Sequence, residues 1–264
     1  MKISCVQFDA TRASHMDPFA YCASMIEEAA KEEPDVIVLP EKWNVFGPPE
    51  THRDQADEGG ERTRKLLSKA AKEYAVNIVG GSVAERRDGA VYNTAHVFDR
   101  KGEEVAVYDK VHLYQDGIER DYYAAGNEIG LFELDGVPCG VVICYDMNFP
   151  EWLRCYGLSG VDVLFVPAAW PSKWMRHLEL VQCSRALENQ CYLACAGFCK
   201  SNGDGTYRSG GTAIVGPHAE FLVKADHAPG VYTAEVSREF LKKAREWQHF
   251  LKDRREDLYR RFGF

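Results

Sequence analysis

The stretch of sequence that decides the fold is Val141-Val142-Ile143-Cys144-Tyr145-Asp146-Met147-Asn148-Phe149-Pro150-Glu151. Its apolar run is typical of a buried strand and stops at a cysteine, and Pro150 marks a helix start a few residues later. This order places the Cys144 thiol at the carboxyl end of a strand, where open α/β sheets carry their reactive groups. Cys144 is therefore a candidate nucleophile.

Strand-like and helix-like segments alternate on both sides of this stretch. The pair Asp88-Gly89 predicts a hairpin turn between strands at residues 76–84 and 91–98. Residues 191–198 are predicted to form one further strand. Because several hairpins argue against a purely parallel sheet, we expect an α/β fold in which two mixed sheets form a sandwich with helices outside.

The chain length indicates one domain, because α/β folds reach about 250 residues as a single unit. We expect residues 1–264 to form that domain, with residues 240–264 as a C-terminal helix and charged tail. The apolar side chains of this end would cover either a partner subunit or the protein's own sheet. They are Trp247, Phe250, Leu251, Leu258, Tyr259, Phe262 and Phe264.

Charge and cysteine usage narrow the classes of protein that remain. The formal net charge of -8 argues against nucleic-acid binding, which needs basic patches for phosphates. No apolar run approaches the ~18 residues of a membrane helix, and the first residues are typical of a strand rather than a signal peptide. Nine cysteines, an odd number, do not indicate a disulfide framework in a chain of this size. We therefore expect a cytoplasmic protein without nucleic-acid or membrane partners.

Three other ionisable residues occupy positions like that of Cys144. Glu41 follows an apolar run and Pro40, which turns the chain out of the sheet. Lys110 lies at the end of another predicted strand, and Glu119 follows nine residues later in a long loop. Since loops at strand ends are where rigid scaffolds present catalytic groups, these residues are candidates to meet Cys144.

The chemistry of a thiol and a carboxylate explains why a lysine is needed. Proton transfer from cysteine to glutamate is uphill by about four pKa units in water, or roughly 5–6 kcal/mol. Burial raises the pKa of the carboxylate, and a neighbouring ammonium lowers that of the thiol. We therefore expect Lys110 to lower the pKa of Cys144. Lys110 and the N–H of Tyr145 could then stabilise the negative charge that develops when the sulfur attacks a carbonyl or nitrile carbon.

Over essentially its whole length, the chain resembles the nitrilase superfamily of carbon–nitrogen hydrolases. The resemblance rests on segments in the family's order and spacing. They are Leu39-Pro40-Glu41, Tyr108-Asp109-Lys110-Val111-His112-Leu113, Glu119, Cys144-Tyr145-Asp146 with Phe149-Pro150-Glu151, and Arg185-Ala186-Leu187-Glu188-Asn189-Gln190.

The resemblance implies a four-layer α-β-β-α sandwich of the nitrilase type, frequently a homodimer or higher homo-oligomer. It implies Cys144 as nucleophile, Glu41 as general base and acid, and Lys110 as oxyanion stabiliser. Glu119 would position the substrate and the lysine. The implied activity is cofactor-free hydrolysis of a small linear amide through a Cys144 thioester, which releases ammonia and a carboxylic acid.

The substrate is indicated by residues beyond the nucleophile. Trp170-Pro171 is similar to the ω-amidase branch, whereas Met147-Asn148 departs from the arginine commoner before the phenylalanine in many amidases. We predict that Tyr145 and Trp170 contribute to substrate binding. Lys173 and Arg176 could hold a substrate carboxylate or belong to a solvated helix face. Nitrile or N-carbamoyl hydrolysis uses the same catalytic set and remains the alternative. A catalytically silent binding protein and a redox thiol protein are the alternatives from other classes.

Two other features offer competing interpretations. Cys191, Cys195 and Cys199 would lie on one face of a strand but span about 13 Å, too far to share one metal ion, so no metal is expected. His112 is two residues from Lys110 and is either a second base or, as we expect, a brace for the loop. Six cysteines are expected to be small buried side chains; they are Cys5, Cys22, Cys139, Cys155, Cys183 and Cys191.

Overall fold

The computed structural model describes residues 1–201 and 207–263. Its strands are β1 (Lys2–Asp9), β2 (Val36–Val38), β3 (Asp57–Glu58), β4 (Asn77–Val79), β5 (Val83–Arg87), β6 (Ala90–Phe98), β7 (Glu104–Asp109), β8 (Gly130–Leu134), β9 (Val137–Val141), β10 (Val163–Pro167), β11 (Tyr192–Ala196), β12 (Phe198–Ser201), β13 (Tyr207–Gly210), β14 (Ala213–Val215), β15 (Phe221–Lys224) and β16 (Gly230–Glu235). Its α-helices are α1 (Ala10–Ser14), α2 (Pro18–Ala30), α3 (His52–Gln55), α4 (Glu61–Tyr74), α5 (Pro150–Leu158), α6 (Met175–Asn189), α7 (Arg238–Trp247) and α8 (Glu256–Arg261).

Two mixed sheets contain these strands. The first runs β13, β12, β1, β2, β4, β6, β5 and β3, with β16 also paired to β1 and β7 to β6. The second runs β15, β14, β11, β10, β9 and β8. Its three central strands, β9, β10 and β11, are parallel, so the loops after β9 and β10 leave the sheet at the same edge.

The two sheets pack face to face around one core. Val38 and Val97 of the first sheet and Val141 of the second are fully buried in it. On the outer face of the first sheet, Ile26 of α2 and Leu67 of α4 join a second apolar cluster. Helices α5, α6 and α7 contribute buried side chains on the side of the second sheet. The expected four-layer α-β-β-α sandwich is confirmed.

The predicted hairpin between β5 and β6 is also present. Asp88 and Gly89 both adopt positive φ, 53° and 80°, as a two-residue type I′ turn requires. Arg87 pairs with Ala90 directly across this turn. Here the turn residues themselves determine the local structure.

The strand predicted for residues 76–84 is interrupted by a bulge. Between Val79 and Val83 the chain advances four residues, whereas on β6 their partners Val97 and Thr94 are three residues apart. Residues 80–82 therefore hold one extra residue, which divides the predicted strand into β4 and β5. The bulge lies beside the segment that carries Glu41.

The prediction of one strand over residues 191–198 is wrong. β11 ends at Ala196 in the second sheet, and β12 begins at Phe198 in the first. Gly197 joins them: its N–H donates to Thr212 Oγ1 at 2.9 Å, and its carbonyl accepts from the Phe8 N–H at 3.1 Å. The chain thus crosses between sheets at a glycine, and Cys199 lies in a different sheet from Cys195.

All nine cysteines are free thiols. Cys155 is exposed and Cys183 is partly buried, so the expectation that both are buried is wrong. Both lie on helices, and part of each helix surface faces solvent. Within the described part of the chain, no helix has the length and apolar character needed to cross a membrane.

The bulge supplies a test of how the fold holds the site. Gly81 has φ +67°, and a Cβ there would lie 2.1 Å from the Pro40 carbonyl oxygen. Gly89 has φ +80°, but no atom lies within 4 Å of a Cβ built there. We expect Gly89→Ala to lose about 1–2 kcal/mol of unfolding free energy from backbone strain alone. Gly81→Ala should lose about 1–3 kcal/mol more, because its clash is with backbone.

Urea denaturation of both variants measures this difference. Equal destabilisation of the two variants would contradict the close approach of Gly81 to the Pro40 segment.

Candidate active site

Cys144 lies three residues beyond β9, at the start of a short 3-10 helix, Cys144–Asn148. Its backbone has φ 47°, a conformation that residues with a side chain seldom adopt and that is typical of strained functional turns. Its side chain is 9% exposed. The sharp turn presents the thiol at the edge of the second sheet.

The fully buried carboxylate of Asp146 holds this turn in place. Its Oδ2 accepts hydrogen bonds from the Ile143 N–H and from the Tyr108 hydroxyl, both at 2.8 Å. Its Oδ1 accepts from the His112 N–H at 2.9 Å and lies 2.8 Å from His112 Nδ1. Asp146 therefore ties the nucleophile turn to the loop that carries Lys110.

His112 makes the contacts expected of a brace for the loop. In addition to both contacts with Asp146, its ring stacks on Phe149 with centroids 3.8 Å apart. A carboxylate on Nδ1 would also orient a histidine base, so the brace and the second base both stay predictions.

Glu41 is placed by the bulge at residues 80–82. The Ser82 N–H donates to the Pro40 carbonyl at 3.0 Å, and the Lys42 N–H donates to Ser82 Oγ at 3.0 Å. The Glu41 side chain is 3% exposed. Through Ser82, the bulge Gly80-Gly81-Ser82 thus holds the backbone of the residues that follow β2.

Lys110 joins the two glutamates. Its Nζ donates to Glu41 Oε1 and to Glu119 Oε2, both at 2.7 Å, and the side chain is 1% exposed. Asn93 Nδ2 donates to the same two carboxylates, at 2.9 Å to Glu41 Oε1 and 3.2 Å to Glu119 Oε1. Glu119 Oε2 also accepts from the Tyr114 N–H at 2.9 Å.

The Cys144 thiol completes the cluster: the Glu41 carboxylate, Lys110 and the Ala169 N–H all lie close enough to act on its pKa. The four residues predicted from the sequence therefore come together. Ala169 follows β10, so the loops after β9 and β10 meet here, as parallel neighbours allow.

The electrostatics of the thiol differ from our expectation. Burial and the neighbouring Glu41 carboxylate hold the pKa of Cys144 well above its usual range, and Lys110 opposes them only in part. Lys110 does lower this pKa, as expected, but the opposing effects are larger, so the net shift in the resting site is upward. The physical reason is that the thiol is desolvated and that the Lys110 charge is already shared by two carboxylates.

The charges around the thiol stabilise one another. Burial disfavours the ionised form of Lys110, but Glu119 and Glu41 together raise its pKa well above the usual range. Burial likewise disfavours ionised Glu119, yet Lys110 and Lys42 hold its pKa far below the usual range. Lys110 and Glu119 are therefore ionised at neutral pH, whereas the Cys144 thiol is protonated.

Comparison with known proteins shows which family the chain belongs to. Residues 2–246 match the family described as carbon-nitrogen hydrolase. The chain belongs to this family.

Named relatives align with almost the whole chain of this hydrolase. It is 37% identical to the 2-oxoglutaramate amidase of Bacillus subtilis (strain 168), over 97% of this chain and 98% of that protein. It is 31% identical to the omega-amidase NIT2 of Xenopus tropicalis, over 98% and 96% of the respective chains. The crystal structure of Saccharomyces cerevisiae Nit3, a member of branch 10 of the nitrilase superfamily, superposes with a TM-score of 0.89 at 25% identity, over 97% of this chain and 96% of that one.

The predicted substrate-binding residues of the hydrolase lie on two segments beside the thiol. Tyr145 follows the nucleophile, and its ring packs edge-on against Tyr114 at 5.1 Å. Trp170 follows Ala169 and is 6% exposed; its Nε1 donates to the Trp174 carbonyl at 3.1 Å. Both residues are therefore close in sequence to groups that contact or carry the sulfur.

Lys173 and Arg176 are placed less deeply. Lys173 is exposed, with its Nζ 5.6 Å from the centroid of the Trp174 ring. The Arg176 side chain is 80% exposed and pairs with Glu179 on its own helix at 3.5 Å. The structure does not bring either residue into the cluster of Cys144, Glu41 and Lys110 through any described contact.

Several residues of the site were missed from the sequence. They are Lys42, Asn93, Asp146, Ala169 and Arg208. Lys42 and Asp146 adjoin predicted residues, so their position was a usable signal. Asn93 and Arg208 reach the site only through strand pairing. Arg208 is 8% exposed on β13, and its Nε lies 3.4 Å from the Ala169 carbonyl oxygen.

No group of three or more His, Cys, Asp or Glu side chains in the described chain is placed to hold a metal ion. A cavity of about 670 Å³ lies beside α7 and is lined by Arg238, Lys242 and Arg245 among others. Neither Cys144 nor Glu41 lines it. The reactive residues and this cavity are thus separate features.

Substitution of Asp146 tests whether one carboxylate supports both the stability and the activity of the hydrolase. Asp146→Ala leaves the buried Ile143 N–H and Tyr108 hydroxyl without their acceptor, at about 1–3 kcal/mol for each group. Asp146→Asn keeps one acceptor oxygen, so we expect a smaller loss of unfolding free energy. Both variants should lose amidase activity in proportion to the displacement of the Cys144 turn.

Thermal denaturation and the rate of ammonia release together check this expectation. An Asp146→Ala variant with unchanged stability would contradict the anchoring role of this carboxylate.

Proposed function

We propose that this hydrolase is an ω-amidase that hydrolyses the terminal amide of a small linear oxo acid to ammonia and a carboxylate. The observation that carries the proposal is the buried cluster in which the Cys144 thiol lies beside the Glu41 carboxylate, which is itself bonded to Lys110. The relatives named 2-oxoglutaramate amidase and omega-amidase support the choice of substrate class.

In the acylation half of the proposed reaction, Glu41 accepts the thiol proton as the sulfur attacks the amide carbon. Because the pKa of Cys144 is held high, proton transfer accompanies attack rather than preceding it. Negative charge then develops on the amide oxygen. Lys110 Nζ and the Tyr145 N–H, near the start of a 3-10 helix, stabilise this oxyanion.

Collapse of the tetrahedral intermediate breaks the carbon–nitrogen bond. Glu41 returns its proton to the departing nitrogen, so ammonia leaves and an acyl thioester remains on Cys144. In the second half, Glu41 removes a proton from water as the water attacks the thioester. The carboxylic acid departs, and the sulfur regains its proton from Glu41.

The far end of the substrate requires a cation, because a 2-oxo acid carries a carboxylate there. Lys173 and Arg176 are the exposed candidates, as the sequence suggested. Arg208 is a buried candidate, since its guanidinium lies against the carbonyl of Ala169, whose N–H contacts the nucleophile. A planar guanidinium matches a carboxylate better than an ammonium does, which favours an arginine.

The cellular location and the oligomeric state of the enzyme remain predictions. Nine free cysteines support a reducing cytoplasm. Trp247 and Phe262 are 76% and 72% exposed, so they do not cover the protein's own sheet, and this supports a homodimer or higher homo-oligomer. Phe264 lies outside the described residues.

The covalent intermediate is the first test of the proposal. Rapid quenching of the enzyme with 2-oxoglutaramate should give an acyl mass on the peptide that contains Cys144. Lys110→Met should reduce acylation by about 10²–10³-fold, because it removes an oxyanion donor. The control Lys101→Met, at an exposed lysine, should acylate normally.

Far-UV circular dichroism establishes that each variant is folded. An acyl mass on another residue, or normal acylation of folded Lys110→Met, would count against the proposed roles. Parallel incubation with N-carbamoyl amines and nitriles decides between ω-amidase and the alternative activities.

The distal carboxylate is tested by comparing two substrates. If Arg208 binds it, Arg208→Met should raise KM for 2-oxoglutaramate by about 10–100-fold, the loss of one charged hydrogen bond. The same variant should change KM little for an amide without a carboxylate. Lys173→Met and Arg176→Met provide the matched comparison, and the variant with the selective effect identifies the binding residue. Equal effects on both substrates in all three variants would refute this arrangement.

A further inference from the structure

Lys42 lies beside the proposed catalytic residues without a role in the reaction as described above. Its Nζ donates to Glu119 Oε1 at 2.6 Å, while Lys110 occupies Glu119 Oε2. The Lys42 side chain is 16% exposed, and its ammonium lies 5.1 Å from the centroid of the Tyr123 ring. The two oxygens of Glu119 thus have separate cationic partners.

The charges of the cluster balance only when Lys42 is included. Glu41 and Glu119 carry two negative charges, and Lys110 and Lys42 carry two positive ones. Glu41, Glu119 and Lys110 are each at most 3% exposed. Without Lys42, a net negative charge would remain in a desolvated region, where two carboxylates would compete for one ammonium.

The backbone is shaped to bring Lys42 to the cluster. In an extended strand, consecutive side chains point to opposite faces, so Glu41 and Lys42 would diverge. Lys42 instead has φ 49°, which breaks the alternation. Ser82 holds this conformation: its Oγ accepts from the Lys42 N–H at 3.0 Å, and its carbonyl accepts from the Trp43 N–H at 3.1 Å.

We propose that Lys42 is a positioning residue that neutralises Glu119, so that Lys110 remains available to the oxyanion. The inference rests on the proposed function for the meaning of the oxyanion, but the charge arrangement itself does not depend on the substrate. Lys42 acts through Glu119 and does not touch the reacting atoms.

The direction of the expected pH effect follows from Glu119. Lys110 and Lys42 hold the pKa of its buried carboxylate far below the usual range. Removing the charge of Lys42 leaves Glu119 with Lys110 as its remaining cation, so Lys110 is less available to stabilise a Cys144 thiolate. The limb on which Cys144 alkylation rises with pH then moves to higher pH, because iodoacetamide reacts with the thiolate.

Three variants separate charge from hydrogen bonding. Lys42→Met removes both, Lys42→Gln keeps a donor but no charge, and Lys42→Arg keeps the charge. The readout is the rate of Cys144 alkylation by iodoacetamide from neutral to strongly alkaline pH, where this thiol ionises, measured by mass spectrometry, which needs no turnover of a substrate. An opposite charge at this distance shifts a pKa by about 1–3 units.

We therefore expect the rising limb of alkylation to move up by about one pH unit or more in Lys42→Met and Lys42→Gln, and Lys42→Arg to restore it. With 2-oxoglutaramate, the neutral variants should lose kcat rather than raise KM. An unmoved rising limb in a folded neutral variant would overturn the proposal. So would a raised KM with an unmoved limb, since Lys42 would then bind the substrate.

Near-UV circular dichroism checks folding, and Lys42→Gln serves where Lys42→Met does not fold. If the wild-type enzyme fails to hydrolyse ω-amides but the alkylation limb still shifts, the proposed function is wrong and the role of Lys42 stands.

Discussion

The structure depends on compensating charge where water is excluded. Lys110, Glu41 and Glu119 are almost fully buried, and an isolated charge there would be expelled or neutralised. The cluster is stable because each carboxylate has a cation at 2.6–2.7 Å and an amide donor from Asn93. Every charged residue of this network needs its partners, because the loss of one residue leaves another buried charge unpaired. The groups that would perform the chemistry therefore also hold together the segments that follow β2 and β7.

Three distorted backbone positions bring the cluster together. Cys144, Lys42 and Gly81 all have positive φ, at 47°, 49° and 67°. Each lies just beyond a strand, where the sheet no longer dictates the conformation and neighbouring groups must. Ser82 and the Pro40 carbonyl support Lys42, and Asp146 supports Cys144. Backbone strain of this kind persists only where several surrounding contacts hold it in place. It occurs at Lys42 and Gly81, beside Glu41, and at Cys144, which is consistent with a functional site.

The sequence was sufficient for the features that local chemistry determines. Asp88-Gly89 specified its hairpin, and the ends of apolar runs located Glu41, Lys110 and Cys144, because a strand end is visible in one segment alone. Features that depend on distant partners were not visible. The crossing at Gly197 depends on Thr212 and Phe8, and the position of Asn93 depends on how β6 faces Glu41. The pKa of Cys144 was misjudged for the same reason. From the sequence, the Lys110 charge was available to the thiol, whereas in the fold two carboxylates share it.

This sharing has a chemical consequence. A thiolate is the form of cysteine that oxidants and stray electrophiles attack, and a site that stored one would be vulnerable between turnovers. Here burial and Glu41 keep the sulfur protonated, so the reactive form arises only when a substrate carbonyl is close enough to share the developing charge with Lys110. The cost is a larger barrier for proton transfer than a free thiolate would face. The placement of the Glu41 carboxylate beside the thiol offsets part of this cost, because the proton acceptor is already in position. The balance of two glutamates and two lysines thus favours the transition state of attack over a resting thiolate. Stabilisation that is realised only in the transition state raises kcat, whereas a stored thiolate would only make the free enzyme more reactive.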